Sequence, residues 1–586
     1  MSFAEFHALS AFSFLRGASQ PEAMVLRAAE LGYPAIAITD HGGFYGSARA
    51  HNAATQCGIR ALVGTTLTLP DQTFLPVLCA SRRGYQALSR HLTDTHLGKG
   101  TLPLFPQGDL IALTGGRNGP IVRPLLRDDR EAARKAAERL VATFGRENVF
   151  VEISRHAMRD DAKIVRQLVD LAGHLKLRLL ATNAPIYATR ADRMLADAFA
   201  CLRHHRPLDA AGRLLSMNGE RHLKPQRQMV GQFADLPEAI TNGDRLLDRL
   251  DFTLENLGYR FPDFPDDRGN PLSIAEQQTL LRRFTYEGAT RRYAPRLVPS
   301  KVKIQLEHEL ALIGHLGFAG YFLIVREIME FARGRGILCQ GRGSAANSAV
   351  CFCLGITAFD PVASGLLFER FLSENRESWP DIDIDFPSGD HREEVIQHVF
   401  RKYGERGAAM TANVITYRPK SAFREMSKVL GFPPAIADRF SQGSAHGSDE
   451  FGDWEPEPEC EFESRIASLL PPSHPRLPAL SRLYHAVLGM PRHLGQHSGG
   501  MIVCDRGLDA VVPLQPATMP GRNVVQWDKD DCEDLGIVKI DLLGLGMLAA
   551  MEDAIAICAR RGKPVDLAKI PHDDMATYDL MCAADT

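Results

Sequence analysis

In one stretch of the chain, three aspartates alternate with apolar residues: Pro380-Asp381-Ile382-Asp383-Ile384-Asp385-Phe386. Successive side chains of a β-strand point to opposite faces, so this alternation predicts a half-buried strand with all three acids on one face. Carboxylates two residues apart on a strand are roughly 6.5–7 Å apart. That spacing lets them hold two divalent ions about 4 Å apart. The stretch therefore indicates a metal site, although a solvated strand face would show the same alternation.

A calcium-binding EF-hand loop is a further interpretation, because such a loop also begins with acids at every second position. It requires Gly at its sixth position and Glu at its twelfth. Those positions are Phe386 and Arg392 here, so the EF-hand interpretation fails.

A second alternating stretch supports the metal site. In Val538-Lys539-Ile540-Asp541-Leu542, the alternation places Lys539 and Asp541 on one face and the apolar residues on the other. It predicts a buried strand that carries one acid and one base.

A third stretch is a turn of small residues that opens onto a helix, residues 340–350. It is not a Walker A loop, because no Gly-Lys-Ser/Thr follows, and Ala346 takes the place of the last glycine of G-x-G-x-x-G. Free backbone N–H groups at such a helix start attract phosphate. Tight helix packing would explain the same small residues.

Three acids on two predicted strands, a lysine beside one of them and a phosphate-type turn together describe a two-metal nucleotidyl-transfer site. The chain resembles the bacterial C-family DNA polymerases, which are related to the DNA polymerase III alpha subunit, and its motifs occur in the same order as theirs. The motifs that carry this resemblance are residues 317–325, 341–348, 367–372, 380–386 and 539–544. Residues 491–500 and 525–531 are more similar to the error-prone, damage-inducible branch than to replicative alpha subunits.

The resemblance implies a multidomain α/β protein: an N-terminal PHP-like (β/α) barrel, then a polymerase-beta-like nucleotidyltransferase palm (α+β) with an inserted helical thumb. The implied boundaries are 1–250 for the PHP-like domain, 251–404 and 491–548 for the palm, and 405–490 for the thumb. Residues 549–586 would be the start of a truncated fingers domain. The C-terminal parts beyond it would recruit the sliding clamp and other damage-response polymerase factors.

The resemblance also assigns roles to the site residues. Asp381, Asp383 and Asp541 would hold two Mg²⁺ ions, with the role of Asp385 left open, and Gly343, Ser344 and Lys539 would contact the dNTP. The primer-template DNA would be bound by Arg418, Lys420, Arg492 and His497. A solvated basic turn explains Arg418 and Lys420 equally well, and a capping role explains His497.

The N-terminal region alternates short apolar strands with amphipathic helices, for example a helix over 21–31 and a strand over 33–40. It resembles the polymerase and histidinol phosphatase (PHP) domain, which binds up to three metals. Four ligand positions of that family are apolar or hydroxyl residues here: Leu9, Thr66, Ala184 and Ile186. Too few donors remain for a hydrolytic cluster. We therefore expect no phosphatase or exonuclease activity, with the remaining His7, Asp40, His41 and His156 serving as structural groups.

Composition sets limits on the class of protein. The 586 residues are 45% hydrophobic and 24% charged with a net charge of −3, as in ordinary globular proteins, so DNA contacts must come from local basic clusters. The eleven cysteines include no C-x-x-C pair, which favours reduced thiols in the cytoplasm. There is no signal-peptide pattern and no long apolar span, so we expect no membrane association.

Four functions are consistent with these observations to different degrees. An error-prone DNA-directed DNA polymerase in damage-induced translesion synthesis is favoured, and a replicative alpha subunit is the alternative in the same class. A catalytically incomplete N-terminal fragment that only binds DNA is the alternative of another class. A PHP phosphoesterase is disfavoured by the four replaced ligands.

Overall fold

The computed structural model describes residues 2–100, 105, 108–373, 379–442, 459–505, 507–565, 567 and 574–584. Its strands are β1 Glu5–Ala8, β2 Ala35–Ile38, β3 Arg60–Thr68, β4 Phe74–Cys79, β5 Leu110–Leu113, β6 Val149–Ile153, β7 Arg178–Ala181, β8 Gln340–Arg342, β9 Asp383–Pro387, β10 Ala408–Thr416, β11 Pro491–Val503, β12 Leu514–Pro516, β13 Asn523–Val525 and β14 Lys539–Leu545.

The helices of the first half of the chain are α1 Pro21–Glu30, α2 Ser47–Cys57, α3 Arg82–His96, α4 Val122–Leu125, α5 Arg130–Phe144, α6 Asp161–Leu175, α7 Arg193–Arg203, α8 Leu208–Ala211, α9 Gln226–Gln232, α10 Pro237–Leu247 and α11 Ile274–Tyr293. The later helices are α12 Ser300–His315, α13 Ala319–Gly334, α14 Ala349–Cys353, α15 Asp390–Tyr403, α16 Pro419–Val429, α17 Pro434–Gln442, α18 Glu459–Ala467, α19 Leu477–Val487, α20 Lys529–Asp534, α21 Gly546–Arg560 and α22 Met575–Cys582.

The chain forms two compact units. The first contains residues 1–259, 411–497 and 506–537, and the second contains residues 260–410, 498–505 and 538–586. Of the described helices, none alone is long and apolar enough to span a membrane, whereas α12 and α13, bent by 112° at their junction, reach that length and composition together.

The first unit contains a seven-stranded sheet in which β1 to β7 lie side by side in chain order. The pairs β1–β2, β2–β3, β5–β6 and β6–β7 are parallel, and each connection contains a helix, as a parallel crossover requires. The pairs β3–β4 and β4–β5 are antiparallel. Buried side chains from all seven strands and from α10 form its core, including Phe6, Ala37, Ile111, Phe150 and Leu246. The predictions of α1, of β2 and of an α/β domain are confirmed.

The helices α16 to α19 also belong to the first unit. Their buried residues share one apolar cluster with residues of the N-terminal region, among them Phe423, Phe440 and Tyr484 on one side and Tyr187 and Phe199 on the other. The predicted domain boundaries stay predictions.

The second unit contains long helices followed by a sheet. Its helices α11, α12 and α13 precede the sheet, and α15 follows β9. In its sheet, β14 lies between β11 and β9, and β8 pairs with the other edge of β9. The apolar side chains of Ile384, Phe386 and Leu542 are fully buried, as the alternation predicts. One detail differs, because β9 begins at Asp383 and Asp381 lies just before it.

Candidate active site

Strand pairing in the second unit brings the three predicted acids together. The parallel strands β9 and β14 place Asp383 directly opposite Asp541, and Asp381 lies two residues before Asp383, the first residue of β9. One carboxylate oxygen from each of Asp381, Asp383 and Asp541 lies within 4.8 Å of the other two. On the other side of β14, Asp541 is paired with Gly500 of β11, which has no side chain. We call these three residues the acid cluster.

Lys539 is the counter-charge of the acid cluster. Its Nζ donates to Asp381 Oδ1 at 2.8 Å and to Asp541 Oδ2 at 2.5 Å. Burial alone would lower the pKa of this ammonium, but the two carboxylates outweigh burial and raise it. Lys539 is therefore charged and joins the two strands at the site.

The acid cluster is nevertheless too negative for its surroundings. Burial, followed by the charges of Asp381 and Asp541, raises the pKa of Asp383 to about 6. Lys539 opposes this shift without cancelling it. One lysine thus leaves a carboxylate whose charge is destabilised in the folded state, which is the electrostatic condition that a bound cation relieves.

The donor set fits a divalent cation. Hard ions such as Mg²⁺ prefer carboxylate oxygens. Asp541 Oδ1 is buried and has no hydrogen-bond partner among the described residues, although Asp541 Oδ2 is held by Lys539. An orphaned carboxylate oxygen is costly unless a ligand satisfies it. Among the described His, Cys, Asp and Glu residues, the acid cluster is the group whose ligand atoms lie close enough together to hold a metal ion.

A buried tyrosine and a tryptophan fix the backbone that carries Asp381. The amide of Ile382 donates to the hydroxyl of Tyr321 at 3.1 Å, and Tyr321 on α13 is fully buried. The ring of Trp379 packs on Phe318 with ring centroids 4.5 Å apart and on Phe261 at 5.5 Å. Two aromatic contacts and one hydrogen bond therefore hold the start of β9 in place. Sequence reasoning found the Gly317 to Val325 motif but gave Tyr321 no role.

The predicted phosphate turn lies next to the acid cluster. Residues Gly343–Asn347 form a 3₁₀ turn directly after β8, and β8 pairs with β9. Gly343 has a φ of +69°, and a side-chain carbon built there would lie 3.7 Å from Asp383 Oδ2. A glycine at this position therefore suits both the backbone conformation and the close approach to the site.

The amides at the start of α14 are not free, which suits the packing interpretation of this stretch. The carboxylate of Glu309 accepts hydrogen bonds from the amides of Ala349 and Val350, both at 2.9 Å, and from Ser348 Oγ at 2.7 Å. The first turn of α14 is therefore capped from α12, and these two amides are taken up by Glu309 rather than left for phosphate. A glutamate about 40 residues away leaves no local signal, which is why sequence reasoning missed it.

Comparison with known proteins agrees with this geometry. The family model of the bacterial DNA polymerase III alpha NTPase domain matches residues 279–544, which include the whole acid cluster and Lys539, and the PHP domain model matches residues 5–156. The chain therefore contains a match to the polymerase III alpha NTPase domain after a match to the PHP domain. The predicted order of a PHP-like domain followed by a polymerase domain is thereby confirmed.

Curated proteins that are similar to the chain along its whole length are error-prone DNA polymerases. Error-prone DNA polymerases from Mycobacterium bovis, Nocardia farcinica and Alkalilimnicola ehrlichii are 40%, 39% and 39% identical to it over 100% of its length. The match covers 53%, 54% and 55% of those proteins, so the chain spans about half the length of the curated relatives it matches. Among solved structures, an amidohydrolase from Chromobacterium violaceum covers 32% of this chain and 88% of its own at 15% identity and a TM-score of 0.19.

Asp385 lies outside the acid cluster. It is opposite Leu543 on β14, and its Oδ1 lies 3.1 Å from the Nε of Arg342. We expect Asp385→Asn to reduce nucleotide addition less than about tenfold, whereas substitution of an acid-cluster residue should cost on the order of 10²–10³-fold. Steady-state primer extension by both variants measures the difference. An equal loss in both would place Asp385 among the metal ligands.

The predicted DNA-binding residues lie in the first unit. Arg418 and Lys420, at the start of α16, are exposed, as is Arg492 in β11. The amide of Tyr417 donates to Met490 O at 2.9 Å, so the start of α16 neighbours the start of β11. Arg418, Lys420 and Arg492 thus share one region of the unit, while His497 lies five residues further along β11 and is half-buried. Their role in DNA binding stays a prediction.

The PHP remnants are used inside the domain. Asp40 is fully buried and accepts hydrogen bonds from Ser10 N and Oγ, Ser13 Oγ and Gly46 N at 2.7–3.2 Å. Burial raises the pKa of Asp40, and these hydrogen bonds oppose the shift. The other remnants have protein partners too: His7 Nδ1 is 2.8 Å from Glu152 Oε1, and His156 Nε2 is 2.8 Å from Asn183 O. Their role as structural groups rather than metal ligands stays a prediction.

A substitution at Asp40 distinguishes a structural group from a metal ligand. We expect Asp40→Asn to destabilise the protein by about 1–3 kcal/mol, because the amide NH₂ would face the donor Gly46 N. Urea unfolding should show the same loss in EDTA and in Mn²⁺. A loss that appears only in Mn²⁺ would instead make Asp40 a metal ligand.

Proposed function

We propose that the protein is an error-prone DNA-directed DNA polymerase, which transfers a nucleotidyl group from a dNTP to the 3′-hydroxyl of a primer during translesion synthesis. The observation that carries the proposal is the acid cluster: three carboxylates with oxygens within 4.8 Å of one another, on or just before two paired strands, with Lys539 bonded to Asp381 and Asp541. The names of the curated relatives support the error-prone branch.

Each residue of the site has a task in this mechanism. Asp381, Asp383 and Asp541 would hold two Mg²⁺ ions through carboxylate oxygens. When bound, these ions lower the pKa of the primer hydroxyl and neutralise the leaving pyrophosphate. Lys539 keeps the two strands together and offsets part of the negative charge before substrates bind. The backbone of Gly343 and the hydroxyl of Ser344 would donate to the triphosphate of the dNTP.

The template-primer would be bound by basic residues of the first unit. Arg418, Lys420 and Arg492 offer exposed cations that suit backbone phosphates, and His497 would add a further contact. Such contacts fix position and carry no base sequence information, which suits a polymerase that copies any template. We also propose that a sliding clamp and other damage-response polymerase factors bind the C-terminal part of the longer protein.

Primer extension in Mg²⁺ tests the proposal. This chain and a version lengthened with the C-terminal half of the Mycobacterium bovis relative should each be assayed with Asp541→Asn, and with Asp385→Asn as the matched control. We expect Asp541→Asn to lose nucleotide addition and Asp385→Asn to keep it. If neither length extends a primer but both bind primed DNA, the protein is a DNA-binding module instead.

A further inference from the structure

A cavity of about 490 Å³ lies in the first unit. Its walls come from Leu15, from the end of α7 and the loop that follows it, from residues 417–429, which include α16, and from the start of β11. Sites for small molecules and cofactors enclose roughly 300–1,000 Å³, so the volume suits a ligand of that size. We call it the α7–α16 cavity.

The inner wall of the α7–α16 cavity is apolar and already formed. Cys201, Tyr417 and Val429 line it and are 1%, 2% and 2% exposed. The ring of Tyr417 stacks on Phe199 of α7, with ring centroids 6.2 Å apart, and the amide of Tyr417 donates to Met490 O at 2.9 Å. Packing and a backbone hydrogen bond therefore hold this wall in place without a ligand.

The rim of the cavity carries an excess of positive charge. Arg206, Lys428 and Arg492 are exposed there, and Glu425 is the one carboxylate among the described residues that line the cavity. Glu425 Oε1 lies 3.2 Å from Lys428 Nζ and 3.8 Å from Arg492 Nη2, so this carboxylate holds two of the cations side by side. Three cations and one carboxylate leave a net charge of +2 when the lining histidines are neutral. A ligand of matching chemistry has an apolar part and an anionic group.

A row of cations along α16 leads to the cavity. Lys420, Arg424 and Lys428 are exposed and four residues apart, so they lie on one face of the helix. The row is about 12 Å long at 1.5 Å per residue. Phe423 and Met426 are buried on the other side of α16. Cations that follow one another along a helix suit the backbone of a nucleic acid, whose phosphates are also arranged in a row.

We propose that the α7–α16 cavity binds one unpaired nucleotide. Its base enters along the apolar wall of Tyr417 and Val429, because every base has a flat face that packs on aromatic and apolar side chains. Its phosphate lies at the rim, where guanidinium groups pair well with phosphate oxygens. The nucleotide could come from two sources, an unpaired stretch of DNA held along α16 or a free nucleotide. The inference rests on the proposed binding of DNA by the first unit and not on nucleotidyl transfer.

A labelled DNA hairpin with a short single-stranded tail tests the proposal, next to the same hairpin without the tail. Fluorescence anisotropy in EDTA and without dNTP measures both affinities. The wild type should bind the tailed hairpin at least about fivefold more tightly, as for the burial of one stacked base. A tail of abasic nucleotides keeps the phosphates and should lose most of this preference.

Two variants close the cavity without a change in charge. Leu202→Trp fills it from the wall of α7, and Pro207→Trp fills it from an exposed position at the mouth, where the larger side chain leaves the core untouched. Both should bind the tail-free hairpin like the wild type and lose the preference for the tail. Arg206→Gln should reduce the preference as well. Arg139→Gln removes an equal charge from an exposed position on α5 and is the matched control that keeps it.

Loss of the tail preference and loss of polymerase activity are separate outcomes. Asp541→Asn should keep the preference for the tail, because the acid cluster belongs to the second unit. Lys420→Gln should weaken both hairpins by the same factor, since a backbone contact does not depend on the base. The proposal is overturned if both cavity-closing variants bind the tailed hairpin as tightly as the wild type, or if the abasic tail binds as tightly as the intact one.

Competition with free dAMP identifies the source of the nucleotide. Displacement of the tailed hairpin to the affinity of the tail-free hairpin would show that free nucleotides enter the cavity too. Retention of the full tail preference at saturating dAMP assigns the cavity to an unpaired nucleotide of DNA.

Discussion

Asp383→Asn is expected to make the metal-free protein more stable while it abolishes nucleotide addition. Asp383 is surrounded by Asp381 and Asp541, and burial and these charges raise its pKa to about 6. An asparagine of nearly the same shape removes the destabilised charge and one metal ligand at once. Opposite effects on stability and on activity are the signature of a site built to bind cations.

The pH dependence of this gain follows from the sign of the shift. An unperturbed aspartate has a pKa of 3.8, and the pKa of Asp383 in the folded state is about 6, so the folded state holds this proton more tightly than the unfolded chain. Ionisation therefore destabilises the fold as the pH rises from about 4 to about 6, and the cost is fully present above that range. After allowance for partial exposure of Asp383, we expect Asp383→Asn to gain about 1–3 kcal/mol at about pH 7.5 and little at about pH 4.

Chemical denaturation in EDTA and in Mg²⁺, at both pH values, measures the effect. The wild type should gain stability from Mg²⁺ and Asp383→Asn should gain much less, with nucleotide addition lower by at least about 10²-fold. Asp390→Asn, in the first turn of α15, is a control carboxylate of the same unit that lies outside the acid cluster. A variant that is less stable than the wild type in EDTA would show that the negative charge of Asp383 is not the source of strain.

Local sequence patterns predicted the elements of this site well. Alternation in residues 380–386 and 538–542 predicted two strands with acids on one face, and both strands exist with their apolar residues buried. The pattern could not give their register, because the pairing of Asp383 with Asp541 joins residues far apart in the chain. The family resemblance assigned the three acids to one metal site but gave no strand register.

Residues that act through long-range contacts were missed for the same reason. Glu309, Tyr321 and Glu152 lie in ordinary helical or strand patterns, and each acquires its contacts only from a partner distant in sequence. At α14, for example, the turn pattern shows the donors and not the carboxylate that caps them. Local sequence patterns therefore do not predict which distant residue will satisfy a buried polar group.

Glu309→Ala is expected to produce the largest loss of stability in the second unit. Glu309 is fully buried on α12 and accepts from Ser348 Oγ, from the amides of Ala349 and Val350, and from Gln305 Nε2, at 2.7–3.0 Å. Removing it leaves buried donors without acceptors, and each such donor costs about 1–3 kcal/mol. We expect a total loss of about 3–5 kcal/mol, as for other buried charged acceptors.

The substitution should also weaken dNTP binding, because the capped turn leads back to the acid cluster. The 3₁₀ turn Gly343–Asn347 ends one residue before Ser348, and Gly343 adjoins Asp383. Urea unfolding measures the stability, and titration with dNTP in Ca²⁺ measures binding without turnover. Glu307→Ala, an exposed residue of the same helix, should cost at most about 1 kcal/mol and leave dNTP affinity unchanged. If Glu309→Ala unfolds normally but binds dNTP with wild-type affinity, the turn does not contact the triphosphate, and Lys539 and the acid cluster must position the nucleotide alone.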